Sequence, residues 1–198
     1  MHPTNRLLAA SLLIMTAACR SNTDLSQKDL VRYYARDNEA VTKIIKTAAC
    51  DYKFQILTPE YVALRDSKQD QGGLDTAVFT HRLQELASKT YLTIRLTNKA
   101  SNRSIIQAGT GSEADIADRT QYYQFDASKQ LFCLCGTDTL RPLDYAFEDG
   151  YNLVNHATIS AVFDSCHKSS FTAVFNDQPA GHSYLQAGFD QSRFPRLK

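Results

Sequence analysis

Cys50, Cys133, Cys135 and Cys166 are the side chains here with the widest choice of chemistry: disulfides, metal ligation or thiolate reactivity. Cys133 and Cys135 stand two apart in an alternating segment, so on a strand both point to one face. A bond between them is awkward in extended backbone, and each is expected to reach a different partner, Cys50 or Cys166. Each bridge would add about 2–4 kcal/mol by restricting the unfolded chain. A metal site of Cys133, Cys135, Cys166 and His167 is the sharper alternative, because Cys and His suit Zn or Cu(I). Its Cys-x-Cys spacing departs from the common zinc spacing, and the Cys-x-x-Cys of thioredoxin-like redox sites is absent. Disulfides are the expectation, and no metal or cofactor is assigned.

A second chemistry resides in carboxylates. Asp138, Asp144, Glu148 and Asp149 gather around Arg141-Pro142-Leu143. Two carboxylates held about 5–9 Å apart can hydrolyse a glycoside. His81, His156 or His182 could supply a base. Loop carboxylates are usually solvated, however, and ten tyrosines and ten phenylalanines come with no tryptophan, the ring that sugar platforms often use. Gly109-Thr110-Gly111-Ser112 lacks the lysine and glycine spacing of a phosphate loop and has no clear helix behind it, so it reads as surface. Neither a Gly-x-Ser-x-Gly elbow, nor His-Glu-x-x-His, nor an EF-hand loop occurs.

The elements that would position these groups follow from hydrophobic period. Leu30, Tyr34, Val41, Ile45 and Ala48 step at three, four or seven from a Ser26 cap, with Asp37-Asn38 splitting the helix. Tyr52, Phe54 and Ile56 alternate as a strand, and Thr58-Pro59-Glu60 starts a short helix ending near Asp66. A polar loop from Ser67 to Gly73 precedes a helix capped by Asp75 or Thr76. Leu92, Ile94 and Leu96 then share one strand face, and residues 109–119 read as a polar loop. Further strands are expected at Tyr122–Asp126, Leu131–Cys135, Leu153–Phe163, Phe171–Phe175 and Tyr184–Phe189, the last two as a hairpin. Helices first and strands later, without βαβ alternation, predict an α+β fold. In it, N-terminal helices pack on a mostly antiparallel sheet or sandwich. The 198 residues, 43% hydrophobic with a formal charge of +1, suit one domain and lack the basic excess of a nucleic-acid binder.

The amino terminus is more specific. Arg6 precedes the apolar run Leu7–Ala18, too short for a bilayer core and the right length for a secretory signal. It ends in Thr16-Ala17-Ala18-Cys19, which resembles the lipobox of bacterial lipoproteins, although Thr16 stands where an aliphatic residue is usual. The resemblance implies removal of residues 1–18 and diacylglycerol on the Cys19 sulfur, usually with a third acyl chain on the amine. Several acyl chains make the attachment nearly permanent, whereas a single chain is marginal. Loss of Arg6 leaves a formally neutral chain, so lipid rather than charge must hold it. Residues 19–24 read as a lipidated tether and 25–198 as one globular domain. Arg20, not Asp, follows the cysteine, which favours the outer over the inner membrane.

Tyr145–Tyr151, the Thr58–Arg65 helix start and the closing Phe194-Pro195-Arg196-Leu197-Lys198 resemble small uncharacterised lipoproteins of Bacteroidota-type bacteria. That resemblance carries no activity with it. The expected function is a membrane-tethered, non-catalytic module of the cell envelope that binds a protein or envelope component. The alternative is a lipid-anchored hydrolase using the 138–149 carboxylates with a histidine.

Overall fold

The structure is a computed structural model describing residues 24–68, 74–150 and 154–198. The signal segment 1–18, Cys19, the tether up to Thr23, most of the 67–73 loop and Leu153 lie outside the described residues.

β1 (Asp24–Leu25) leads into α1 (Gln27–Ala35), whose first turn is closed by the Ser26 hydroxyl accepting from Asp29 N at 3.3 Å. The expected helical stripe through Ala48 stops here. The Asn38 side chain accepts from Tyr33 Oη at 2.9 Å and from Ala40 N at 3.0 Å, which turns the chain. The next segment is a strand, β2 (Thr42–Lys46), where three β-branched residues in five favour extended backbone over helix.

β3 (Cys50–Leu57) and α2 (Pro59–Asp66) fall where the sequence placed them, and α3 (Thr76–Leu86) starts at Asp75. The Asp75 carboxylate accepts from Ala77 N and Val78 N, both at 3.0 Å. β4 (Lys89–Asn98) carries Leu92, Ile94 and Leu96 on its buried face. The polar loop expected at 109–119 instead contains the start of α4 (Glu113–Gln121), where Ser112 Oγ accepts from Asp115 N at 3.2 Å. The strand expected at Tyr122–Asp126 is a π-helical turn that prolongs α4, followed by α5 (Ala127–Gln130). Of its residues only Tyr123 is buried, so the alternation read there as a strand face has no inward row behind it.

β5 (Leu131–Cys135) is followed by two strands that acidic residues had concealed, β6 (Asp138–Leu140) and β7 (Asp144–Asp149). β8 (His156–Asp164), β9 (Ser170–Asp177), β10 (His182–Asp190) and β11 (Arg196–Leu197) complete the chain. The five-stranded sheet is ordered β2-β3-β4-β8-β7 and the four-stranded one β10-β9-β5-β6, both antiparallel throughout. β1 and β11 form a separate two-residue parallel ribbon. The fold is therefore α+β, with helices and strands interleaved along the chain rather than segregated.

Phe54, Ile94 and Ile159 of the larger sheet share one core with Leu131, Phe175 and Phe189 of the smaller. A second cluster joins Leu30 of α1, Val62 and Leu64 of α2, and Leu86 of α3 to Leu57 and Tyr91. Leu57 pairs with Tyr91 and Lys89 with Asp164, so these mark one end of the larger sheet, the helical end. Cys50 pairs with Asn98 and Thr97 with His156, which marks the far end.

Candidate functional site

β9 alternates, so Phe171, Ala173, Phe175 and then Asp177 fall on its inward face. A carboxylate thus enters the core at the far end, where its relative exposure is 0%. Tyr52 of β3 donates its hydroxyl to one oxygen at 2.7 Å, and Tyr123 donates to the other at 2.8 Å. The π-helical turn is what brings Tyr123 inward while Tyr122 beside it donates to the Asn176 carbonyl at 2.6 Å. Tyr145 of β7 donates to the Tyr123 carbonyl at 2.7 Å, and Phe147 stacks on the Tyr123 ring at 5.1 Å.

Burial pushes the Asp177 carboxyl above its ordinary range, while the hydrogen bonds from Tyr52 and Tyr123 pull it back. Burial also raises both phenols, and the charge of Asp177 adds to it. His182 meets the Tyr52 ring edge-on at 5.9 Å, and its Nε2 is buried with no partner among the described residues. Tyr52, Tyr123 and Asp177 are sealed from solvent, so the arrangement acts as a clamp between two sheets and the π turn.

Only one of the two expected bridges forms. Cys135 is bonded to Cys166, with Cα atoms 5.6 Å apart, while Cys50 and Cys133 remain thiols. Cys135 ends β5 beside the loop that carries Cys166, whereas Cys133 lies two residues inward, paired in register with Ala173 and Leu140. Cys50 turns its sulfur to the Asp51 carbonyl at 3.6 Å. Burial pushes the Cys133 thiol up to about 12, and burial with the nearby Asp177 charge does the same to Cys50. Thiolate is the nucleophile, so both are inert when folded. Iodoacetamide at pH 8 should leave Cys50 and Cys133 unmodified in the native protein and alkylate both in non-reducing denaturant, as read by peptide mass spectrometry. Modification of either in the native state at the denatured rate would contradict this burial.

His167 lies beside the bridge, its Nδ1 3.7 Å from Cys135 Sγ. With two of the proposed ligands bonded to each other, Cys133, Cys135, Cys166 and His167 do not form a metal centre. Among the described residues no group of three or more Cys, His, Asp or Glu is placed to hold a metal ion.

The 138–149 carboxylates are dispersed by the pleat of β7. Asp144 and Glu148 face outward, and Tyr145, Phe147 and Asp149 face inward. Glu148 pairs with Thr158 and Asp149 with Ala157, which sets the two adjacent acids on opposite faces. His81 is exposed on α3 and lies 3.6 Å from Glu85. His156 projects from the outer face of β8, its pKa lowered by burial and by the charge of Arg95. His182 belongs to the Asp177 cluster, so among the described residues no histidine is placed with a pair of these acids.

Asp149 instead lines a recess of about 300 Å³ with Ile106, Ile116, Gln124 and Phe147. Its Oδ1 is buried and has no partner among the described residues. At the Gly109–Ser112 segment a helix does begin, but the Asp115 carboxylate accepts from Gly111 N at 3.3 Å, taking a donor that a phosphate would need. Sequence reasoning missed Asp177 and Tyr123; the period-two placement of Asp177 after Phe171, Ala173 and Phe175 was the signal available. Compared with protein-family models, with curated proteins and with solved structures, the chain matches none.

Proposed function

We propose that this chain is a lipid-anchored cell-envelope protein that works by binding a partner protein or envelope component, without catalysis. The observation that carries this reading is the Thr16-Ala17-Ala18-Cys19 motif behind the apolar run Leu7–Ala18. β1 begins at Asp24, five positions after the lipobox cysteine, and Lys198 N donates to the Leu25 carbonyl at 3.1 Å to pin it. Cys19 thus stands within five positions of a pinned strand, a spacing that suits an acylated amino terminus. No helix among the described residues is long and apolar enough to cross a membrane, so acyl chains on Cys19 supply the attachment. The binding role draws support from the sealed Asp177 clamp and the dispersed 138–149 acids, together with the Asp149 recess as a place for a ligand group.

Intact mass of detergent-extracted protein should show loss of residues 1–18 and addition of acyl chains. Cys19→Ser should leave the envelope fraction for the soluble one. A parent whose amino terminus bears no fatty acid, with Cys19→Ser fractionating as the parent does, overturns the proposal.

A further inference from the structure

The ribbon that opens the fold also determines which way the body can face. Asp24 pairs with Arg196 and Leu25 with Leu197, and Leu25, Leu197 and Phe194 pack into the helical cluster. The tether therefore leaves the body at the helical end. From Cys19 to Asp24 an extended chain spans at most about 18 Å. β4 alone has ten residues, a rise of about 33 Å from the helical end to the far end. A leash shorter than the body keeps the far end from being turned onto the surface that holds Cys19.

The charges around the ribbon suit such a surface. Arg193, Arg196 and Lys198 are exposed, and none of them forms an ion pair among the described residues. Four acids stand near them: Asp24 lies in the ribbon itself, Asp190 accepts from Ser192 N at 3.0 Å and Oγ at 2.7 Å and feels the Arg193 charge, and Glu39 and Glu60 line the recesses bordered by Arg193 and Arg196. Unpaired cations within a Debye length of an anionic leaflet are attracted to it.

We propose that the β1–β11 end is a membrane-contacting surface that takes anionic lipid headgroups through Arg193, Arg196 and Lys198. It presents the far end, with the 177–182 hairpin and the Asp149 recess, away from the bilayer. This inference rests on the acylation of Cys19 proposed above.

The sequence contains no tryptophan, so single substitutions give clean reporters. Lys28→Trp places an indole in the first turn of α1, beside the ribbon. Phe125→Trp places one on the π turn at the far end, where the native ring is 64% exposed. The lipidated full-length product is reconstituted into phosphatidylglycerol-containing vesicles doped with a headgroup-dansylated lipid, and tryptophan-to-dansyl transfer is measured. Transfer from the Lys28→Trp reporter should exceed that from Phe125→Trp several-fold. Equal transfer, or more from Phe125→Trp, overturns the orientation.

The difference should shrink on phosphatidylcholine vesicles and in an Arg193→Ser/Arg196→Ser/Lys198→Ser background. A difference unchanged by both overturns the headgroup assignment. Intact mass of the same sample judges acylation separately. Where it shows a free Cys19, that thiol is coupled to a maleimide-headgroup lipid and the two reporters are compared in the same way, so the orientation is decided in either case.

Discussion

Replacing Asp177 by alanine should cost about 3–5 kcal/mol of folding stability, the largest loss expected from one substitution here. The variant leaves the hydroxyls of Tyr52 and Tyr123 in a sealed interior with no acceptor, and each orphaned donor costs about 1–3 kcal/mol. Tyr52→Phe and Tyr123→Phe should each cost less, about 1–3 kcal/mol, because the carboxyl keeps its other phenol. Their double-mutant cycle should show coupling, since both bond to the same carboxyl. Urea unfolding at a series of pH values measures all of these and exposes a further signature. Burial holds the native carboxyl above its unfolded value, so the folded state keeps a proton that the unfolded chain has released. The contribution of this group is then greatest in acid and declines as pH rises through the unfolded value and then the higher native one. Asp177→Asn should remove that decline. A parent and variant with parallel pH profiles would show that Asp177 is not the group responsible.

Reduction of Cys135–Cys166 should lower Tm by about 6–16 °C. The bridge closes a loop with a sequence separation of 31, worth roughly 3–4 kcal/mol of unfolded-state entropy. In a chain of this length each kcal/mol moves Tm by about 2–4 °C. The bridge ties the end of β5 to the turn between β8 and β9, so it joins the smaller sheet to the larger at the helical end. Exposed His167 and Lys168 border it on the solvent side, where a reductant can approach. Thermal unfolding with and without dithiothreitol, alongside Cys135→Ser/Cys166→Ser, reads the effect. Identical transitions in all three samples would sink it.

Alternation and capping residues carried most of the strand and helix assignments. Tyr52, Phe54 and Ile56 alternate because that strand has one buried face, and Asp75 caps because its side chain meets two free N–H groups. The failures have equally local causes. Val41 and Ile45 continue the spacing of α1 by coincidence, since four residues span one helical turn but also two strand repeats. The acids of β7 hid a strand because an edge exposes one face fully, and hydrophobicity reports only the other. The Asp177 clamp was least legible: its phenols come from positions 125 and 54 residues away along the chain, and no local pattern encodes such a meeting. Cysteine count likewise allowed several pairings, and only position along β5 separates Cys135, at the strand end beside the loop of Cys166, from Cys133, which lies inward opposite Ala173.

β6 and β7 are lateral borders of the two sheets, each with one row of backbone donors and acceptors that no other strand among the described residues pairs with. Asp138, Asp144 and Glu148 stand exposed along those borders. A second copy that paired β6 with β6 or β7 with β7 would have to stack its own negative charges against them. On the opposite border β2 presents Lys43 and Lys46. Like borders of neighbouring copies thus repel, so these acids guard the exposed edges against self-pairing in register.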